Sequence, residues 1–270
     1  MKPYHLIILL FLLISNKNYV CAENDICFKM NEESFQIDKS NGKLTVNGYG
    51  RMCDCLEEVW HKIDEKITIT TIVIGDSVTS IGNGCFKKSE QLKSLIIGNA
   101  VEMIGVSSFY NTGITELNIP DSVQNIDSGA FEHCTYLTSL MWADAKVKSI
   151  GNNAFAHCTS LTTVLFPSSL ETLGNDVLIG CQSITSIEIN SNVDIDVSMF
   201  SFFPKLNSLV IENNNKYMTM NNVVYDKNKE KILFYPMGLT TQSFIVQDTV
   251  GTVGSYSFAN SKLHQIAFGE

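Results

Sequence analysis

The chain has 270 residues, of which 44% are hydrophobic and 17% charged, so it can bury a sizeable core and is too apolar to be disordered. Its net charge of −9 comes without any cluster of lysine and arginine. A nucleic-acid partner is therefore not expected, because neutralising phosphates requires a basic face.

The first 22 residues predict a secretory signal peptide. Lys2 gives the positive start, nine apolar residues run from Leu6 to Ile14, and Val20-Cys21-Ala22 fits a cleavage site of small residues. The alternative is an uncleaved anchor, but the apolar segment is too short to span a bilayer comfortably. No later segment is apolar enough to span, and no lipid-anchor signal is present. We therefore expect a secreted protein, or one on the extracellular face of the cell surface.

Residues 23–68 predict an N-terminal cap. Two alternating runs, 34–38 and 43–47, flank the Asn-Gly pair at 41–42 and indicate a β-hairpin. Residues 56–66 have the apolar spacing of a short helix. Such a block would cover the core of the first unit of a repeat protein, which is otherwise open to solvent.

Cysteine usage fits an exported chain. Cleavage of the signal would leave seven of the eight cysteines, so at least one thiol is either free or paired between chains. A disulfide from Cys27 to Cys53 or to Cys55 is the expected pairing. The Cys-Asp-Cys sequence could instead bind a metal, but it lacks a second ligand pair at a suitable spacing.

A repeat of about 23 residues fills residues 69–270. Each unit has an inward residue that ends a short apolar run, a second apolar residue about seven positions later, and a large apolar residue about twelve positions after the first. The inward residues are Ile74, Ile97, Ile119, Trp142, Phe166, Ile189, Ile211, Val246 and Phe268. The second positions are Ile81, Ile104, Ile126, Ile150, Leu173, Ile195 and Val253. The large residues are Phe86, Phe109, Phe131, Phe155, Leu178, Phe200 and Phe258.

This repeat predicts a β-rich solenoid of about nine rungs. Each apolar run is too short to be stable alone, but copies stacked at about 4.8 Å form a parallel sheet. The large residues then point inward and stack in columns, so neighbouring units share a core that no single unit could bury.

Cys134, Cys158 and Cys181 occupy equivalent positions and predict a column of buried thiols, with a disulfide between rungs as a geometrically demanding alternative. His133 and His157 precede two of them and raise the hypothesis of a zinc site with two cysteines and two histidines. Adjacent residues on extended backbone point in opposite directions, so we expect the histidines to face outward and the cysteines inward. We therefore predict no metal site.

Residues 212–243 interrupt the repeat and stretch one spacing to 35 residues. The runs at 223–225 and 231–235 predict a hairpin ended by Pro236, expected as a solvent loop, with a protruding contact surface as the alternative. The repeat then resumes and stops shortly after its last strand. A bare sheet edge is a liability, so we expect either a truncated product or an edge covered by a partner.

The strings IPDSVQNIDSGAFEHC, SIGNNAFAHC and IGDSVTSIGNGCF resemble the BspA-like leucine-rich repeat. The block from Gln36 to Met52 resembles the lead-in that precedes such repeats, and the insertion around Val223 is similar to the longer repeat variant of that family. The resemblance implies a right-handed leucine-rich-repeat superhelix with a parallel sheet on its concave face. It also implies a surface or secreted protein with a role in adhesion or host binding.

The outward side chains of the strands form a candidate binding surface, because residues alternate between the two faces of a strand. One outward column is mostly hydroxylic: Thr71, Ser94, Glu116, Ser139, Thr163, Ser186 and Ser208. The other is unusually apolar, and we predict it as the binding site: Val73, Ile96, Asn118, Met141, Leu165, Glu188 and Val210. The alternative is that β-branched residues simply suit strands.

We expect a protein that is not an enzyme and needs no cofactor. The repeats place Ser, Asp and His in rows, whereas catalysis needs convergent groups, and no phosphate loop, nucleophile elbow or metal triad is found. The predicted partner is a protein, such as a host surface or matrix protein, bound through the concave sheet. The alternative function is a structural array that self-associates through the apolar column and the C-terminal edge, without an external ligand.

Overall fold

The structure is a computed structural model that describes residues 19–20, 34–55, 68–142 and 146–269. Of the predicted signal peptide only Tyr19–Val20 are described, as a short strand antiparallel to Asp54–Cys55. The helix predicted at 56–66 lies outside the described residues. The hairpin predicted near the start is present, with Phe35–Asp38 antiparallel to Lys43–Val46.

Short strands and turns make up nearly all of the described chain, with one 3-10 helix at Val197–Phe202. The strands are β1 (Tyr19–Val20), β2 (Phe35–Asp38), β3 (Lys43–Val46), β4 (Gly50–Arg51), β5 (Asp54–Cys55), β6 (Thr71–Ile74), β7 (Val78–Ile81), β8 (Ser94–Ile96), β9 (Met103–Ile104), β10 (Glu116–Asn118), β11 (Asn125–Ile126), β12 (Ser139–Met141), β13 (Ser149–Ile150), β14 (Thr163–Phe166), β15 (Thr172–Leu173), β16 (Ser186–Asn190), β17 (Ser208–Glu212), β18 (Tyr217–Met220), β19 (Val223–Asp226), β20 (Lys231–Phe234), β21 (Ser243–Val246), β22 (Thr252–Val253) and β23 (Gln265–Phe268).

Two rows of parallel strands run along the molecule. The first sheet contains β3, β6, β8, β10, β12, β14, β16 and β17, with β2 on its outer edge. Its strands are hydrogen-bonded in three groups, β2 to β8, β10 with β12, and β14 to β17. These groups meet through contacts of β8 with β10 and of β12 with β14. The second sheet contains β4, β7, β9, β11, β13 and β15. The first six units each contribute one strand to each row, whereas the units of β16 and β17 contribute only to the first row. The chain forms a β-solenoid of about eight turns, close to the nine predicted.

The predicted phenylalanine column fills the interior between the two sheets. Phe86, Phe109, Phe131 and Phe155 are fully buried, and neighbouring ring centroids lie 5.3, 5.3 and 5.4 Å apart with nearly parallel planes. Offset stacking at this distance is a favourable arrangement of aromatic rings. The column confirms that successive units share one core.

The predicted thiol column is also present. Cys134, Cys158 and Cys181 are buried and free, and each thiol donates a hydrogen bond to a phenylalanine carbonyl in the preceding rung, at 3.3, 3.3 and 3.2 Å. Burial raises the pKa of Cys134 to about 11, and hydrogen bonding to Cys181 together with burial raises the pKa of Cys158 well above its ordinary value. The three cysteines are therefore packed as small core residues, and no disulfide joins them.

The solenoid starts earlier than the repeat skeleton indicates. β3 pairs in parallel with β6, and β4 pairs with β7, so residues 43–55 of the predicted cap form a coil in register with the first repeat. A disulfide from Cys55 to Cys85 joins this coil to the next one. Of the two expected pairings of Cys27, the one with Cys55 is therefore wrong. Cys53 is also disulfide-bonded, and because Cys27 lies outside the described residues, the pairing of Cys27 with Cys53 stays a prediction.

The insertion contains the predicted hairpin, β19 with β20, and an additional strand, β18, that pairs with β19. The expectation of a solvent loop is wrong, because Val223, Val224 and Tyr225 are buried. β20 pairs in parallel with β22, and Tyr235 packs on Phe258 with ring centroids 5.4 Å apart. The inserted hairpin therefore contributes buried residues of its own to the core.

Candidate functional site

The predicted binding residues all lie on the outward face of the first sheet. Direct pairing places Val73 beside Ile96 and Asn118 beside Met141. The same register places Leu165, Glu188 and Val210 side by side on β14, β16 and β17. The intervening residues of each strand are buried, so the alternation predicted from the sequence holds along the sheet.

Exposure is greatest in the middle of this column. Ile96 is 54% exposed, and Met141 and Leu165 are each 47% exposed, whereas Val73 and Val210 are partly covered. Asn118 and Glu188 add polar groups between the apolar side chains. We call the seven residues together the apolar row. Large hydrophobic side chains exposed side by side are a common feature of contact surfaces.

The hydroxyl column runs beside the apolar row on the same strands. Ser94, Glu116 and Thr163 are exposed, and the other members are partly buried. A polar strip next to an apolar one has the composition of a protein-binding surface, in which an apolar centre is bordered by hydrogen-bonding groups.

One further residue belongs to the same face and was missed in the sequence, and another holds the matching position on a separate sheet. Thr45 pairs with Val73 and extends the row into the first coil. Ile245, which is 70% exposed, lies on β21, which pairs with β23 in a separate two-stranded sheet; it precedes the inward Val246 by one residue, as Val210 precedes Ile211. That one-residue offset was the signal that could have identified Ile245.

β18 lies beside the edge of β17 at the end of the first sheet. The backbone amide of Ile211 donates to Thr219 Oγ1 at 3.0 Å, and that of Leu209 donates to Asn222 Oδ1 at 3.2 Å. Side-chain oxygens thus satisfy amides that would otherwise be open to another strand. The apolar row is therefore presented by a sheet whose edge is covered at this end.

The structure separates the histidines from the cysteines as predicted. Cys134 and Cys158 are buried, whereas His133 and His157 are partly exposed, so the four side chains do not form a site with two cysteines and two histidines. Among the described residues, Glu132, His133 and His157 are the group whose donor atoms lie close enough to hold a metal ion, within 4.8 Å of one another.

Comparison with known families gives a direct match. Residues 63–145, 141–241 and 227–270 match the BspA type leucine rich repeat region, in six copies. The chain belongs to the BspA-type leucine-rich repeat family. The match covers the whole of the predicted repeat region, residues 69–270, and confirms the resemblance seen in its sequence.

Solved structures of this fold come from several bacteria. The chain is similar to a leucine-rich repeat protein from Eubacterium ventriosum (23% identity, TM-score 0.53, 86% of this chain and 56% of that one). It is also similar to the pneumococcal vaccine antigen PcpA, with 21% identity and a TM-score of 0.51 over 87% of this chain and 62% of that one. A leucine-rich repeat protein from Bacteroides ovatus is similar as well, with 19% identity and a TM-score of 0.51 over 87% of this chain and 69% of that one.

At these identities the likeness shows the shared fold, and the chain spans about three fifths of the length of the first two proteins. No curated protein sequence matches the chain. Among the described residues, no helix has the length and apolar character needed to cross a bilayer.

Proposed function

We propose that this BspA-type protein is a secreted or cell-surface binding protein without enzymatic activity, which adheres to a host surface or matrix protein through the apolar row. The observation that carries the proposal is the exposure of Ile96, Met141 and Leu165 on one face of the first sheet, whose groups of paired strands contact one another. Leucine-rich repeat proteins typically bind other proteins.

The apolar row offers enough energy for a binding hot spot. Complete burial of an aliphatic side chain contributes about 1.5–3 kcal/mol, and roughly half of that remains available where half of the side chain is exposed. Ile96, Met141 and Leu165 together would therefore contribute about 3 kcal/mol on contact with a complementary apolar surface. The hydroxyl column would supply the polar border of that contact.

The disulfide between Cys55 and Cys85 supports a location outside the reducing cytosol. Disulfides form and persist in oxidising compartments and are rare where glutathione keeps thiols reduced. An exported protein with a cleaved signal peptide is consistent with this bond. Export of the protein, and retention of the bond in the exported form, can be examined by fractionating cells and medium without reductant.

The proposal is tested with Ile96→Asp combined with Leu165→Asp. Binding is measured by surface plasmon resonance on immobilised fibronectin, laminin, collagen and fibrinogen, and on intact epithelial cells by flow cytometry. We expect the unmodified chain to bind at least one of these surfaces. We expect the double variant to bind it at least about 100-fold more weakly, because two charges would be buried at the hot spot.

The matched control is Thr172→Asp combined with Thr252→Asp, which adds the same charge at exposed positions outside the apolar row. This variant should bind as the unmodified chain does, and thermal melting should show that all three proteins are folded. Equal binding by the Ile96 and Leu165 double variant would rule out the apolar row as the binding site.

A second candidate function, structural self-association without an external ligand, is favoured by the exposure of Ile245 (70%) and Phe268 (68%) on β21 and β23. The prediction that Phe268 is buried is wrong: it pairs with the buried Val246, but no strand among the described residues pairs with the other side of β23. If copies associate through these strands, sedimentation velocity should show a species that grows with concentration, and Ile245→Asp with Phe268→Asp should abolish it. A strict monomer at every concentration would eliminate this candidate.

A further inference from the structure

We propose that Glu132, His133 and His157 form a surface site for a divalent transition-metal ion of the zinc class. Their donor atoms, two imidazole nitrogens and one carboxylate oxygen, lie within 4.8 Å of one another. The site differs from the one with two cysteines and two histidines, because the thiols of Cys134 and Cys158 are buried inside the coil.

The repeating backbone brings the two histidines together. His133 has a φ of 61° and His157 a φ of 59°, and the equivalent positions of neighbouring units, Lys88, Asn111 and Gly180, also have positive φ. Histidine is enriched in this left-handed conformation relative to most other residues. Because both histidines occupy the same turn in adjacent rungs, their rings stack with centroids 4.5 Å apart and planes 10° from parallel.

Backbone hydrogen bonds hold these turns in place. The amide of His133 donates to the carbonyl of Ala156 at 2.8 Å, and the amide of His157 donates to the carbonyl of Ile179 at 2.6 Å. The two histidines are therefore anchored to successive rungs of one stack. Donors positioned by a rigid scaffold lose less conformational entropy when they bind an ion.

Neighbouring residues also define the space around the rings. The rings of Tyr110 and His133 pack in a T-shaped arrangement, with centroids 5.3 Å apart. On the other side, His157 lies directly over Gly180, where the first carbon of any side chain would come within 2.3 Å of His157 Nδ1. The glycine therefore leaves the room that the second imidazole occupies.

The carboxylate of Glu132 is the third donor, and the cluster is partly open to solvent. Glu132 Oε1 lies 3.8 Å from His133 Nε2, and the Glu132 and His133 side chains are 23% and 39% exposed. Small changes of side-chain torsion would bring the three donors onto one ion, and the fourth position would stay open to water. Two imidazoles with one carboxylate suit Zn²⁺, and Ni²⁺ and Cu²⁺ also accept such ligands.

The test is isothermal titration calorimetry, in which the full chain is titrated with ZnCl2 and then, in a second experiment, with NiCl2, in a buffer without chelator. We expect one ion to bind per chain, and His157→Asn to weaken that binding by at least about tenfold, because one of three ligands is lost. Asparagine is the appropriate replacement because Asn111 already occupies the same left-handed position in another repeat. Glu132→Gln should weaken binding in the same direction.

The matched control is His264→Asn, which removes an exposed histidine outside the cluster and should leave zinc binding unchanged. Thermal melting of each variant separates loss of the site from loss of the fold. If the unmodified chain binds no zinc, or if His157→Asn binds it as well as the unmodified chain does, the stacked histidines have a structural role only and the proposal is overturned.

Discussion

Replacing Phe131 by alanine is expected to lower the free energy of unfolding by about 3–5 kcal/mol. Phe131 is fully buried and stacks on Phe109 on one side and on Phe155 on the other. Its removal would leave a cavity between two rungs whose backbones are held at a fixed spacing, so the site could collapse only partly. Urea denaturation followed by circular dichroism measures the change.

Phe202→Ala is the matched control for this prediction. Phe202 is 46% exposed at the end of the 3-10 helix, so its truncation should cost less than about 1 kcal/mol. A result in which the Phe131 variant is no less stable than the Phe202 variant would show that the phenylalanine column does not form the core.

Removing the disulfide by Cys85→Ala is expected to lower the free energy of unfolding by about 3–4 kcal/mol. The bond joins residues 30 positions apart, and it links the first coil to the second. Without it the unfolded chain regains the entropy that the closed loop had removed. The measurement is urea denaturation of the oxidised protein, with Cys55→Ala prepared alongside.

The double variant, Cys55→Ala with Cys85→Ala, provides the internal control. Because a single bond is lost whichever cysteine is replaced, the double variant should be only slightly less stable than either single variant. Fully additive losses, or a loss below about 1 kcal/mol in the single variants, would contradict a stabilising bond between these residues.

The solenoid could be predicted because each rung repeats the same apolar positions at nearly constant spacing. Where the residue types change, the repeat pattern disappears from the sequence although the backbone still forms a coil of the solenoid. β3 and β4 form a coil without the repeat skeleton, and Ile232 and Tyr235 supply a rung's core residues from a shifted spacing. In both places backbone pairing, which does not depend strongly on residue type, maintains the fold.

The candidate binding surface was predictable to the extent that it follows from alternation along a strand. The sequence placed Ile96 and Leu165 on the outward face, but it could not give the exposure of each residue, which depends on the neighbouring strands. Val73 and Val210 are partly covered for this reason. Ile245 was missed because the insertion shifts its strand away from the regular spacing.

The long-range pairings could not be obtained from spacing alone. Cys85 lies within the repeats, and its bond to Cys55 depends on a coil that the sequence pattern does not reveal. His133 and His157 lie outside the core as expected, but they lie on turns with positive φ in adjacent rungs and not on the extended backbone from which the expectation was argued, and their stacking depends on these turns. Such juxtapositions require the three-dimensional register of the coils.

The stacking of rungs in register underlies both the apolar row and the histidine pair, and spin-label distances test it most directly. Labels are attached to cysteines introduced at exposed positions 115 and 207 in one protein, and at 93 and 207 in another. These positions are equivalent in their rungs, so the second pair is separated by one more strand spacing than the first. The buried native thiols stay unlabelled. Double electron–electron resonance should give narrow distance distributions centred near 19 Å for the first pair and near 24 Å for the second, about 5 Å apart. Broad distributions, or distances that do not increase by about one strand spacing per rung, would contradict the stacked solenoid.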